Sequence, residues 1–148
     1  MAILGIDHLV LTVADIETTC AFYGRHLGIQ TVRFAENRSA LQLGPQKINL
    51  HEVGKEFEPK AARTLAGSGD LCLLADDSVA ELAARLAAAG VAIEAGPTYR
   101  TGARGPILSI HFRDPDGNLI EVANYLPPGV DQRADVALPR SRSTTTPA

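Results

Sequence analysis

Cysteine is scarce in this chain of 148 residues: Cys20 and Cys72 are the only two. One falls on a predicted helix and the other on a predicted strand, both among apolar neighbours. Buried free thiols are therefore expected, not a disulfide framework or a thiolate metal site. No apolar run approaches the roughly 20 residues that a membrane-spanning helix needs. The opening Met1-Ala2-Ile3-Leu4-Gly5-Ile6-Asp7 lacks the basic start and long apolar core of a secretory signal, so the cytoplasm is the expected location. Basic excess is missing too. A formal net charge of -3 offers no electrostatic footprint for nucleic acid or an anionic membrane, although local basic positions remain to grip a small anion. CxxC pairs, a serine nucleophile elbow and the glycine-rich loops of nucleotide sites are all absent.

What the chain does have is the composition of a globular domain, 45% hydrophobic and 21% charged, and a faint internal repeat. Asp7-His8-Leu9-Val10-Leu11 opens a strand, and the helix after it ends near Leu27-Gly28-Ile29. Asp70-Leu71-Cys72-Leu73-Leu74 opens another, with a helix ending near Ala89-Gly90-Val91. Asp15 and Ser78 are the candidate N-caps, and a glycine closes each helix in the manner of a left-handed C-terminal cap. Three short strands follow in each copy, at 30–35, 39–43 and 47–53 and at 91–94, 107–113 and 118–124. The last two are joined by the turn chemistry of Asp114-Pro115-Asp116-Gly117-Asn118. The reading is βαβββ twice: one α+β domain over 1–126, with modules at about 3–53 and 70–125 and a linker at 54–69. The stretch 127–148 is rich in Pro, Arg, Ser and Thr and reads as a flexible tail.

Period-two alternation decides which side chains share a space. Leu9, Leu11 and Val13, then Ile48 and Leu50, Leu108, Ile110 and Phe112, and Ile120 and Val122 suit the face under the helices. The other face receives His8, Asn49, His51, Ser109, His111 and Glu121, and alternation also assigns Arg33 and Gln42 to it. Two imidazoles and a carboxylate, His8, His51 and Glu121, form the ligand set of a facial triad that leaves positions open for water and substrate. His111 is the candidate base for proton transfer and Glu52 the rival. The loop Tyr99–Gly105 reads as a cationic lip, in which Arg100, Thr101 and Arg104 would hold a carboxylate or phosphate. Arg33, Gln42 and Asn49 would line the pocket.

Ile6-Asp7-His8-Leu9-Val10-Leu11-Thr12-Val13, Phe22-Tyr23 before Leu27-Gly28, and the closing run from Phe112 to Glu121 resemble the vicinal oxygen chelate superfamily of glyoxalases, bleomycin-resistance proteins and extradiol dioxygenases. The run from Asn49 to Ala61 and that from Arg100 to Ile107 are more closely similar to the glyoxalase domain-containing protein five subgroup and to bacterial glyoxalase-like proteins. The resemblance implies two modules whose sheets curl, barrel-like, around one divalent metal (Mn, Fe, Ni or Zn), with ligands from the first and last strand of each. His8 and Glu121 match two of these positions. His51 takes the third, with Glu52 as its register rival, and Leu71 stands at the fourth, where ligation is impossible. The implied activity is metal-dependent lyase or isomerase chemistry on a small, oxygen-chelating, anionic substrate. Ring-cleaving dioxygenase chemistry with ferrous iron, or non-catalytic binding of a drug or metabolite, are the alternatives. A C2 homodimer is the expected assembly, with the site closed either within one chain or across the pair.

Overall fold

The structure is a computed structural model that describes residues 2–128, so the tail expected over 127–148 lies almost wholly outside the described residues. The first module runs β1 (His8–Val13), α1 (Ile16–Leu27), β2 (Gln30–Phe34), β3 (Arg38–Leu43) and β4 (Gln46–Glu52). The second runs β5 (Asp70–Leu74), α2 (Val79–Ala88), β6 (Ile93–Gly102), β7 (Gly105–Arg113) and β8 (Leu119–Tyr125). Each module forms its own four-stranded mixed sheet, in the orders β1-β4-β3-β2 and β5-β8-β7-β6. In both, the first strand pairs in parallel with the last and so lies at an edge. Among the described residues no helix is long and apolar enough to cross a membrane.

Local chemistry accounts for the helix boundaries. The Asp15 carboxylate accepts from the Thr18 N–H at 2.7 Å and caps α1, while Ser78 Oγ accepts from the Glu81 N–H at 3.5 Å at the start of α2. Gly28 at φ +67° and Gly90 at φ +82° turn the chain left-handed at the two C-termini. The N–H groups of Ile29 and Val91 then return to the carbonyls of Tyr23 and Leu86, which satisfies the last turns.

The strand expected at 91–94 is instead the long β6. The strand runs on through Gly96-Pro97, with irregular register between Ile93 and Thr98. Gly96, at φ +97°, allows this: a Cβ there would sit 2.3 Å from the Ser109 carbonyl oxygen. The expected lip is accordingly the tip of the β6–β7 hairpin, where Gly102 faces Gly105.

The apolar faces of both sheets meet in one core. Val13, Tyr23, Leu41, Ile48 and Leu50 from the first module and Val79, Leu86, Ile110, Phe112 and Ile120 from the second are essentially solvent-free. The Asp114–Asn118 turn fastens the modules together. Asp114 accepts from the Tyr23 hydroxyl at 3.1 Å and from the side-chain amide of Asn118 at 2.8 Å, and Asp116 accepts from the Ala14 N–H at 3.0 Å. Burial, then the Asp114 carboxylate, pushes the Tyr23 phenol far above its ordinary range, so it stays a donor. Because the modules share the core on their helix sides, the opposite, open face of each sheet points away from it. The single curled, barrel-like sheet expected from the resemblance is not formed within one chain; two separate sheets stand in its place.

Candidate functional site

Strand register sets out the two open faces as equivalent rows. In the first sheet, His8 lies beside Lys47, Val10 beside Asn49 and Thr12 beside His51. In the second, Asp70 lies beside Leu119, Cys72 beside Glu121 and Leu74 beside Ala123. Matched row by row, Asp70 is the counterpart of His8, Glu121 of Asn49, and Ala123 of His51. The repeat therefore corrects the fourth position. Leu71 packs against the core on the helix side, and the open-face residue at the start of β5 is Asp70, an oxygen donor.

His8 keeps Nδ1 2.7 Å from Asp7 Oδ1, the arrangement by which a carboxylate orients a ligating imidazole and leaves Nε2 free. Asp7 was legible only as part of a motif, not as a supporting group. His51 shares the face of His8 but stands four residues further along, about 13 Å at the rise of a strand. Parallel side chains so far apart do not converge on one ion, which removes the expected pairing of the two imidazoles within one chain. His51 is instead covered by the 54–69 linker, with its ring 5.6 Å from that of Phe57, and both it and Thr12 are only 8% exposed. Burial first, and then the Arg38 guanidinium, holds the His51 pKa below its usual value, so the ring is neutral at neutral pH. Glu52 departs from its expectation as well: it follows His51 onto the other face and is tied to Lys55.

On the second sheet His111 and Glu121 are cross-strand neighbours, with Nε2 3.6 Å from Oε1, longer than a hydrogen bond. Both groups are largely sealed from solvent. Both cysteines are free but, contrary to expectation, neither is buried: Cys20 is half-buried and Cys72 exposed. Desolvation around the Cys72 sulfur, then Glu121, pushes its thiol up to about 12, which makes it a poor thiolate. Polar atoms that are buried and lack a partner gather on the two open faces: Asn49 Oδ1 and His51 Nδ1 on one, Ser109 Oγ, His111 Nδ1 and Glu121 Oε1 on the other. A buried polar atom without a partner costs on the order of 1–3 kcal/mol, so these faces need ordered water, an ion, a ligand or a second chain to complete them. Among the described residues, no three metal-capable side chains of one chain converge.

The expected pocket residues divide. Arg33 lies on the helix side, bonded to Glu17 of α1 at 2.6 Å, because its partner Ser39 shares the row of Leu50. Gln42 faces the open side, but its amide donates to the carbonyls of Gly44 and Gln46 at 2.7 and 3.0 Å. Arg100 and Thr101 are exposed near the hairpin tip. Arg104 stacks its guanidinium 4.5 Å from the centre of the Tyr125 ring, beside the second open face.

The sequence and fold have known counterparts. A model of the Glyoxalase/Bleomycin resistance protein/Dioxygenase superfamily matches residues 5–122. The virulence protein STM3117 of Salmonella typhimurium is 52% identical over 126 residues, which is 85% of this chain and 88% of that protein. Its crystal structure superposes with a TM-score of 0.82, over 85% of this chain and 100% of that one. The glyoxalase domain-containing protein RDO1 of Mycosarcoma maydis is 50% identical over 125 residues, 84% of this chain and 70% of that protein. A lactoylglutathione lyase of Agrobacterium tumefaciens is 26% identical, with a TM-score of 0.63 over 81% of this chain and 92% of the lyase. With the family model spanning most of the chain and two relatives at half identity, the chain belongs to the Glyoxalase/Bleomycin resistance protein/Dioxygenase superfamily.

Proposed function

We propose that this protein is a metal-dependent lyase or isomerase acting on a small anionic substrate that offers two oxygens to a divalent ion. Two buried oxygens carry this reading: Asn49 Oδ1 and Glu121 Oε1 occupy equivalent rows of the two open faces, and neither has a partner. With His8 and Asp70 at the other equivalent pair of positions, the donor set is one imidazole and three oxygens, which suits a divalent ion such as manganese, iron, nickel or zinc. The open faces of one chain point apart, so His8 and Asn49 would meet Asp70 and Glu121 of the partner subunit in a homodimer. Edge strands β1 and β5 support that pairing, since Val10 and Leu74 expose 46% and 57% of their surface along them.

A bound ion would supply Lewis-acid stabilisation of negative charge on a chelated substrate oxygen. The protein's own part is proton movement and positioning. His111 Nε2, next to Glu121 yet not hydrogen-bonded to it, is the atom placed to take a proton from substrate held over the second open face. Asp7 fixes the His8 ring. The similar lactoylglutathione lyase supports the reaction class.

Metal analysis of protein purified without chelator tests the assignment. His8→Ala and Glu121→Ala should each lower divalent-metal affinity at least roughly tenfold, with the fold intact. His51→Ala should retain the metal. Loss of metal in His51→Ala with full retention in Glu121→Ala would overturn the ligand set, and a wild-type chain with no metal affinity would favour a binding protein over an enzyme.

A further inference from the structure

Linker 54–69 folds over the end of the first open face and borders an open cleft of about 430 Å³. Its floor is Thr12 and His51; its roof carries Lys60, Arg63, Thr64 and Ser68. Two cations and four further hydrogen-bonding side chains thus line it, and no carboxylate does. We infer that this cleft is an anion-binding subsite, one that takes a carboxylate or phosphate group of a small molecule.

Three observations carry the inference. His51 is nine-tenths buried, yet its Nδ1 is sealed from solvent without a hydrogen-bond partner among the described residues. A sealed ring nitrogen without a partner costs stability until ordered water or a ligand completes it. Lys60 and Thr64 are held in place by an acid behind the roof, and Arg63 is left without one. Glu56 accepts from the Gly54 N–H, the Thr64 hydroxyl and the Lys60 ammonium, each at 3.1 Å, and so braces the linker that carries Lys60. Glu58 lies 3.7 Å from Lys60 but is turned out to solvent. Arg63 has no ion pair among the described residues, and Arg38, likewise without one, stacks 4.2 Å from the Phe57 ring centre behind His51. Lys60 is thus balanced by Glu56, and the unneutralised positive charge at the cleft is that of Arg63, with Arg38 nearby.

The subsite also gives the substrate proposal a direction, and to that extent rests on it. The Thr12–His51 row is one step along from the Val10–Asn49 row, about 7 Å at strand rise. A molecule chelated near Asn49 would place an anionic substituent under the linker, not at the Arg100–Arg104 hairpin.

Titration of the isotope-labelled full chain, stripped of metal and dialysed free of chelator, tests the subsite apart from the metal reading. Inorganic phosphate and succinate are the probes. Binding of either should shift the Thr12, His51, Thr64 and Ser68 resonances, and the tighter of the two identifies the group accommodated. Arg63→Ala, an exposed change, and Lys60→Met should each weaken that affinity about tenfold, since each removes a charge-assisted bond. Arg100→Ala and Arg104→Ala should leave it unchanged. Shifts confined to the hairpin, no binding of either anion at millimolar concentration, or unchanged affinity in both Arg63→Ala and Lys60→Met would overturn the inference.

Discussion

At the scale of single residues, the closing Asp114-Pro115-Asp116-Gly117-Asn118 turn shows how a conspicuous motif can serve architecture before chemistry. Asp114 gathers the Tyr23 hydroxyl, the backbone N–H groups of Asp116 and Asn118, and the Asn118 side chain. Removing one donor should cost little, because the others remain. Tyr23→Phe is expected to lose about 1 kcal/mol in denaturant unfolding at fixed protein concentration. Asp114→Ala strands several buried donors at once and should cost on the order of 3 kcal/mol. His111 is the opposite case, a buried group with few structural bonds. His111→Gln should lower kcat at least about tenfold while metal content stays unchanged, read by single-turnover assay and elemental analysis. Of the candidate side chains, His8 and Glu121 stood out in the sequence because each starts or ends a recognisable motif. Asp70 did not, because the strand motif aligns its neighbour Leu71 with His8 and only the β5–β8 register separates the two.

Secondary elements divide by how local their causes are. Both helices were legible to within a residue or two, since Asp15, Ser78, Gly28 and Gly90 act on atoms a few residues away. Strand β6 was not legible. Its passage through Gly96-Pro97 depends on contact with Ser109 and Ile110 of β7, which no local pattern records. Gly96→Ala should destabilise the protein by roughly 2 kcal/mol or more, through a positive φ and a Cβ thrust into β7, and thermal unfolding measures it. The linker is held by a different force. Its own backbone N–H and that of Gly54, then the Lys60 ammonium, hold the Glu56 carboxyl at about 2, below its ordinary 4.5. A depressed carboxyl stabilises above its unfolded value, and that contribution disappears as pH falls from about 4.5 towards about 2. The protection factor of the Gly54 amide, corrected for intrinsic exchange, should therefore fall across that window, and Glu56→Gln should abolish the dependence.

For the whole molecule, the governing fact is that two apolar faces share one core and leave two polar faces outward. A site made of His8 and Glu121 then requires two chains, and complementation between variants reports it. His8→Ala and Glu121→Ala homodimers should each lack tight metal binding. Mixed and re-equilibrated, they should recover about a quarter of the wild-type sites, because each mixed dimer holds one unaltered site and one doubly altered site. No recovery, with mixed dimers present by native mass spectrometry, would place the site within a chain. A stable monomer in sedimentation at micromolar concentration would exclude the assembly altogether.

Sequence alone determined the repeat, the helices with their caps, the division of each strand into an apolar and a polar face, and the family to which the pattern belongs. These rest on short-range causes: caps, turn chemistry and a period of two residues that any half-buried strand must keep. Only the tertiary structure decided which polar residues are true counterparts, that Arg33 turns to Glu17, and that His51 lies under the linker away from His8. Those outcomes depend on inter-strand register and on which faces of the two modules pack together, and both are set by contacts between residues far apart in the chain.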